Sequence, residues 1–136
     1  MTYSPSKTVE SMQYSDRAIV RGERALSCSP FKLSLFETMG RESIPLLQII
    51  GDNGYQQGYT KRSLSELATE NNLLWLINVG LLRREVDGQG ITDSFRLTPL
   101  GRKLVNKWQN QGGAFPQPSW LDRLYNWLNR RLRLPI

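Results

Sequence analysis

Residues 80–108 read GLLRREVDGQGITDSFRLTPLGRKLVNKW, and the order of parts in this stretch restricts the fold more than any other feature of the chain. A glycine closes a helical stretch, two short runs flank a Gly-rich turn, and Thr98-Pro99 opens another helix. Residues 82–86 and 94–98 are expected as strands joined by DGQGITD, whose Gly88 and Gly90 supply the positive φ angles that hairpin turns need. In the second run Phe95 and Leu97 alternate with Ser94, Arg96 and Thr98, so one face is expected to be buried. Thr98 has the side chain of an N-cap and Pro99 suits a first helical position. Leu100, Leu104, Val105 and Trp108 then form an apolar stripe on the helix that follows.

Upstream, residues 1–15 are rich in Ser, Thr and Tyr without apolar periodicity, and 16–26 carry a weak helical pattern interrupted by Gly22. Residues 1–28 are therefore expected to be a flexible or partly helical N-terminal segment. A helix over 30–39 follows from Ser29 as cap, Pro30 at the first position and Phe31, Leu35 and Met39 on one face. A second helix is expected over 42–51, with Leu46, Leu47, Ile49 and Ile50 as its apolar side, and GDNGYQQGY as a loop or a short extended piece. Ser63 and Glu66 have capping-box spacing, so the next helix is expected to start there with Leu64, Leu67 and Ala68 facing inward. A further apolar set at Leu73, Leu76 and Val79 runs to Gly80. The domain expected over 29–109 is followed by a Gly/Pro linker at 110–118 and an amphipathic helix within 119–136.

This order, helix, helix, helix, hairpin, helix, resembles the winged helix-turn-helix superfamily over residues 42–109. The resemblance rests on Leu64-Ser-Glu-Leu67-Ala68, on Leu73-x-x-Leu76-x-x-x-Gly80-Leu81-Leu82, and on Phe95-Arg-Leu97-Thr98-Pro99-Leu100-Gly101. Similar pieces occur in bacterial regulators of the MarR and PadR types. The resemblance implies an α+β, mostly helical fold with a two-stranded wing, a third helix that enters the major groove of duplex DNA, and binding as a homodimer. The C-terminal amphipathic helix is an addition to that pattern. Between Ala68 and Leu73 the chain is shorter than the usual turn plus the first turn of a reading helix, so the second and third helices are open to being shortened, fused or tightly bent.

The chain has 18 basic and 12 acidic residues, a formal charge of +6, which favours polyanions such as nucleic acid or an anionic membrane surface. It has no histidine and one cysteine, which removes Ser-His-Asp and Cys-His catalysis and the common zinc sites. There is no phosphate-binding Walker loop, and Gly88-Gln89-Gly90 precedes no suitable helix. Asp87 and Asp93 fall in a turn rather than a cleft. The expectation is a binding protein, not an enzyme, with no cofactor or metal. The first thirty residues lack an apolar core segment and no apolar run is long enough to cross a bilayer, so a cytoplasmic location is expected.

Lys61, Arg62, Arg83, Arg84, Arg96, Arg102 and Lys103 are the candidate phosphate contacts, and residues 83–107 carry a net +3. An ordinary solvated surface accounts for these cations equally well. Asn71, Asn72 and Asn78 are the only base readers on offer, since the same stretch, with Thr69, Glu70 and Trp75, has no arginine or lysine. Their alternative is a solvated helix face. In the tail, Trp120, Leu121, Leu124, Trp127, Leu128 and Leu132 form one stripe. Packing against a twofold mate or back on its own domain ranks first for that stripe, docking to a partner protein second, and a membrane surface last. Two functions follow: a winged-helix DNA-binding regulator of transcription, or a winged-helix adaptor that has no DNA activity and docks through its Trp-rich tail.

Overall fold

The computed structural model describes residues 14–86, 93–112 and 117–132. Its elements are helix α1 (Asp16–Cys28), helix α2 (Leu33–Arg41), strand β1 (Ile44–Pro45), a 3-10 turn (Leu46–Gln48), helix α3 (Gly51–Gln56), helix α4 (Glu66–Asn78), strands β2 (Leu82–Val86) and β3 (Asp93–Leu97), helix α5 (Pro99–Asn110) and helix α6 (Trp120–Leu132). The fold is α+β and mostly helical, with one antiparallel three-stranded sheet in the order β1-β3-β2.

The junction between α4, the sheet and α5 follows from local chemistry. Gly80 adopts φ +86, the Gly80 N–H donates to the Ile77 carbonyl at 2.9 Å, and the Leu81 N–H donates to the Leu76 carbonyl at 2.9 Å. These two bonds form a Schellman ending, which needs a residue free to take positive φ. On the other side of the hairpin the Thr98 hydroxyl accepts from the Gly101 N–H at 3.1 Å and donates to the Gly80 carbonyl, while the Thr98 N–H donates to the Leu81 carbonyl at 3.0 Å. One threonine thus caps α5 and ties it to the end of α4. The register pairs Leu82 with Leu97 and Arg84 with Phe95, which places Leu82, Phe95 and Leu97 in the core with Phe36, Leu73, Leu76 and Trp108.

Five expectations are corrected. The helix expected over 30–39 starts later, because the Pro30 carbonyl accepts from Lys61 and the Lys32 N–H donates to Tyr59, holding Phe31 in an antiparallel bridge with Thr60. The helix expected over 42–51 is instead β1 and a 3-10 turn, since Ile44 and Pro45 pair with Phe95 and Ser94. Pro45, which has no N–H to donate, is tolerated because β1 is an edge strand. The GDNGYQQ stretch expected as a loop or a short extended piece holds α3. The cap expected at Ser63 lies at Ser65, whose hydroxyl accepts from the Ala68 N–H at 3.1 Å. Leu64 is buried and its carbonyl accepts from Gly51, which keeps 63–64 extended and delays the helix. From Ser65 one continuous helix, α4, runs to Asn78, the fused form among the alternatives that the short spacing left open. It buries Thr69, Leu73 and Leu76 and leaves Leu67, expected to face inward, 70% exposed. The hairpin turn, with Asp87, lies outside the described residues.

Candidate nucleic-acid interface

The face of α4 turned away from the core carries Leu67, Asn71, Leu74 and Asn78, spaced so that they form one stripe along the helix. Helix α6 lies alongside. Its N-terminus is closed by a reciprocal box, in which the Asp122 N–H donates to the Ser119 hydroxyl at 3.1 Å and the Ser119 N–H donates to the Asp122 carboxylate at 3.0 Å. The Trp75 indole N–H donates to Asn126 at 3.0 Å, the Arg130 guanidinium donates to the Asn72 side chain at 3.0 Å, and Arg24 of α1 sits 5.0 Å over the Tyr125 ring. Asn129 is buried in the same seam.

Between α4 and the end of α6 the chain forms a concavity of about 280 Å³ lined by Asn71, Leu74, Trp75, Asn78, Arg130 and Arg131. Burial, with Arg131 beside it, lowers the Arg130 pKa from its ordinary value. Two amides and two guanidinium groups therefore share a single depression. Asn71 and Asn78 keep their side chains on that surface, but Asn72, expected with them, spends its side chain on Arg130 and on the Ala68 carbonyl at 2.8 Å. The cations missing from α4 itself are brought by the tail. The i, i+4 pair Asn126 and Arg130 on its polar side was the sequence signal for this contact.

The other candidate cations fall into separate places. Arg83, Arg102 and Lys103 line an open cleft of about 600 Å³ with Tyr14, Leu97, Pro99 and Asn106. Within it Arg102 donates to the Gly40 carbonyl at 3.0 Å, Lys103 stands 5.7 Å over the Tyr14 ring, and Arg83 pairs with Glu85 at 3.0 Å. Arg84 does not join them. Its register puts it on the same side of the sheet as Phe95, where it stays exposed, 5.7 Å over the Phe95 ring and 3.8 Å from Asp93. Arg96 reaches the Arg41 carbonyl at 3.5 Å. Lys61 and Arg62 are exposed ahead of α4, and burial together with Arg123 of the tail lowers the Lys61 pKa.

Glu85 is the carboxylate beside the basic cleft. The Ser43 hydroxyl donates to it and Arg83 faces it, and these lower its pKa against a smaller opposing effect of burial. Because folding lowers that pKa, the contact is in place above the ordinary glutamate range and is lost as pH falls through the folded value. Ser43→Ala is expected to move the Glu85 pKa back up, read by NMR titration of the side-chain carboxyl. An unmoved Glu85 would contradict the assignment.

The tail residues expected at a partner or dimer contact are placed together. Trp120, Leu121, Leu124 and Trp127 are exposed on one side of α6, and Leu128 is half-buried. Helix α6 does pack on its own domain, as one expectation had it, but through its polar edge rather than its apolar stripe. Among the described residues no group of three or more His, Cys, Asp or Glu side chains is placed to hold a metal.

The family model described as Npun_F0494-like matches residues 12–130, and the chain belongs to that family. No curated protein and no solved structure matches it.

Proposed function

We propose that this member of the Npun_F0494-like family is a winged-helix protein that binds duplex DNA and regulates transcription. Helix α2, edge strand β1, the 3-10 turn with α3, helix α4 and the β2–β3 hairpin then stand as first helix, first strand, second helix, reading helix and wing. Support comes from the sheet order β1-β3-β2, in which the short early strand pairs with the returning strand of the hairpin. This assignment differs from the one read in the sequence, which matched 64–68 to the second helix and 73–80 to the third while leaving them open to being fused.

The observation that carries the DNA reading is the concavity beside α4. Asparagine amides present a donor and an acceptor suited to the edge of adenine, while arginines hold phosphates and fix the protein's register. Asn71 and Asn78 meet Arg130 and Arg131 there within one depression.

A fluorescence-anisotropy titration of a random duplex tests it. The affinity is expected to fall more than about tenfold between 50 and 200 mM salt, and Arg131→Ala is expected to reduce the slope of log K against log salt by about 0.9. Asn71→Ala with Asn78→Ala is expected to leave random-duplex affinity within about twofold while removing preference for a selected sequence. Negligible binding at low salt would overturn the proposal and favour the adaptor reading.

A further inference from the structure

An amphipathic helix that packs on a domain ordinarily turns its apolar stripe inward. Helix α6 does the reverse. Asn126, Asn129 and Arg130 face α1 and α4, while Trp120 is 72% and Trp127 52% exposed, with Leu121, Leu124 and Tyr125 exposed between them. The two tryptophans are seven residues apart, about two turns and 10 Å along the axis, on one side of the helix.

The charge around this face has one sign. Arg123, Arg130 and Arg131 are the cations of α6, and its single acid, Asp122, is held in the N-terminal box. Lys61 lies close enough to Arg123 for its pKa to be lowered by it, so the body of the domain adds positive charge next to the tail. Around the helix axis Arg131 falls between Trp120 and Leu124 on the exposed face and Arg123 on its flank beside Trp127, while Asn129 and Asp122 lie on the side towards the domain. A second copy packed on this face in either direction would bury Arg131, and the one acid of α6 faces away from it, so the charge would have no carboxylate of the partner helix beside it.

We propose that the Trp120–Leu124–Trp127 face of α6 seats in plane on an anionic phospholipid bilayer, with the polar edge of the helix anchored to the domain above it. Tryptophan is at home at the level of the headgroups, leucine enters the acyl boundary, and arginine stems lie along the surface with their guanidinium groups on lipid phosphates. No helix among the described residues is long and apolar enough to cross a membrane, and an in-plane helix needs no such length. DNA binding uses the α4 concavity, and the two surfaces share the arginines at the end of α6 but not the tryptophans, so the tryptophan variants separate them.

The test is co-sedimentation of the full chain with vesicles of phosphatidylcholine alone and of equal parts phosphatidylcholine and phosphatidylglycerol, with tryptophan emission read in parallel. The protein is expected to sediment with the anionic vesicles only, with a blue shift of its emission and a loss of binding as salt rises. Trp120→Ala with Trp127→Ala is expected to lower the partition coefficient by more than about tenfold, and Arg123→Gln by about fivefold. Because both tryptophans are exposed, the double variant keeps its far-ultraviolet circular dichroism and its duplex titration. Equal binding to neutral vesicles, binding that the double variant retains, or no vesicle binding would each overturn the proposal. A dimer in sedimentation velocity that the double variant splits would overturn it in favour of a second copy.

Discussion

Alanine at Gly101 is expected to lower the thermal midpoint by about 7 °C. A β-carbon at this position would sit 2.2 Å from the Leu81 carbonyl oxygen and 3.0 Å from a Leu97 methyl. The nearer atom is backbone, and it already accepts the Thr98 N–H that ties α5 to the end of α4. The helix cannot yield without stretching that bond or lifting the Thr98 cap. Overpacking of this kind costs about 3 kcal/mol, reduced by the better helix propensity of alanine, and a chain of this length converts each kcal/mol into roughly 3–4 °C. Gly40→Ala is the matched control. Its β-carbon would meet a Leu97 methyl at 3.6 Å, an ordinary contact, inside α2, so the midpoint there is expected to hold or rise slightly. Scanning calorimetry of both variants checks the pair, and a Gly101→Ala midpoint equal to the wild type would show that α5 is not seated against Leu81.

Phe95→Ala is expected to cost about 3–5 kcal/mol in chemical unfolding, the largest effect of any single truncation in the sheet. Phe95 lies on the central strand, fully buried, with Ile44 opposite it on one side and Arg84 on the other. Removing the ring opens a cavity between all three strands, and it takes away the surface that the Arg84 guanidinium covers. A shift of the denaturation midpoint with unchanged slope is the expected signature. A loss below about 1 kcal/mol would mean that Phe95 does not hold the strands together.

What could be read in the sequence was whatever neighbours decide. Gly80, Thr98 and Pro99 are set by helix ends a few residues away, so the hairpin stem and the start of α5 appear within a residue of where the sequence puts them. Residues 42–51 could not be read in this way, because the partner that makes Ile44 a strand is Phe95, far along the chain. Ser63 and Ser65 both offer a capping hydroxyl. The choice falls to Ser65 because the Leu64 carbonyl is taken by Gly51, a contact with no local signature. The tail shows a different limit. Periodicity identifies which side of α6 is apolar but not which side is buried, and the arginines beside Asn71 and Asn78 follow from that second choice. Arg84 shows the same limit, since its charge places it at the surface but only its register with Phe95 sets it over that ring.

Duplex DNA is proposed to seat in the α4 concavity. The most direct measurement is an NMR titration of the isotope-labelled full chain with a short random duplex at low salt, following backbone amides and the arginine and asparagine side chains. Shifts concentrated on Asn71, Asn78, Arg130 and Arg131, reversed by added salt, are the result expected. Shifts confined to other surfaces, or none at saturating duplex, would contradict it.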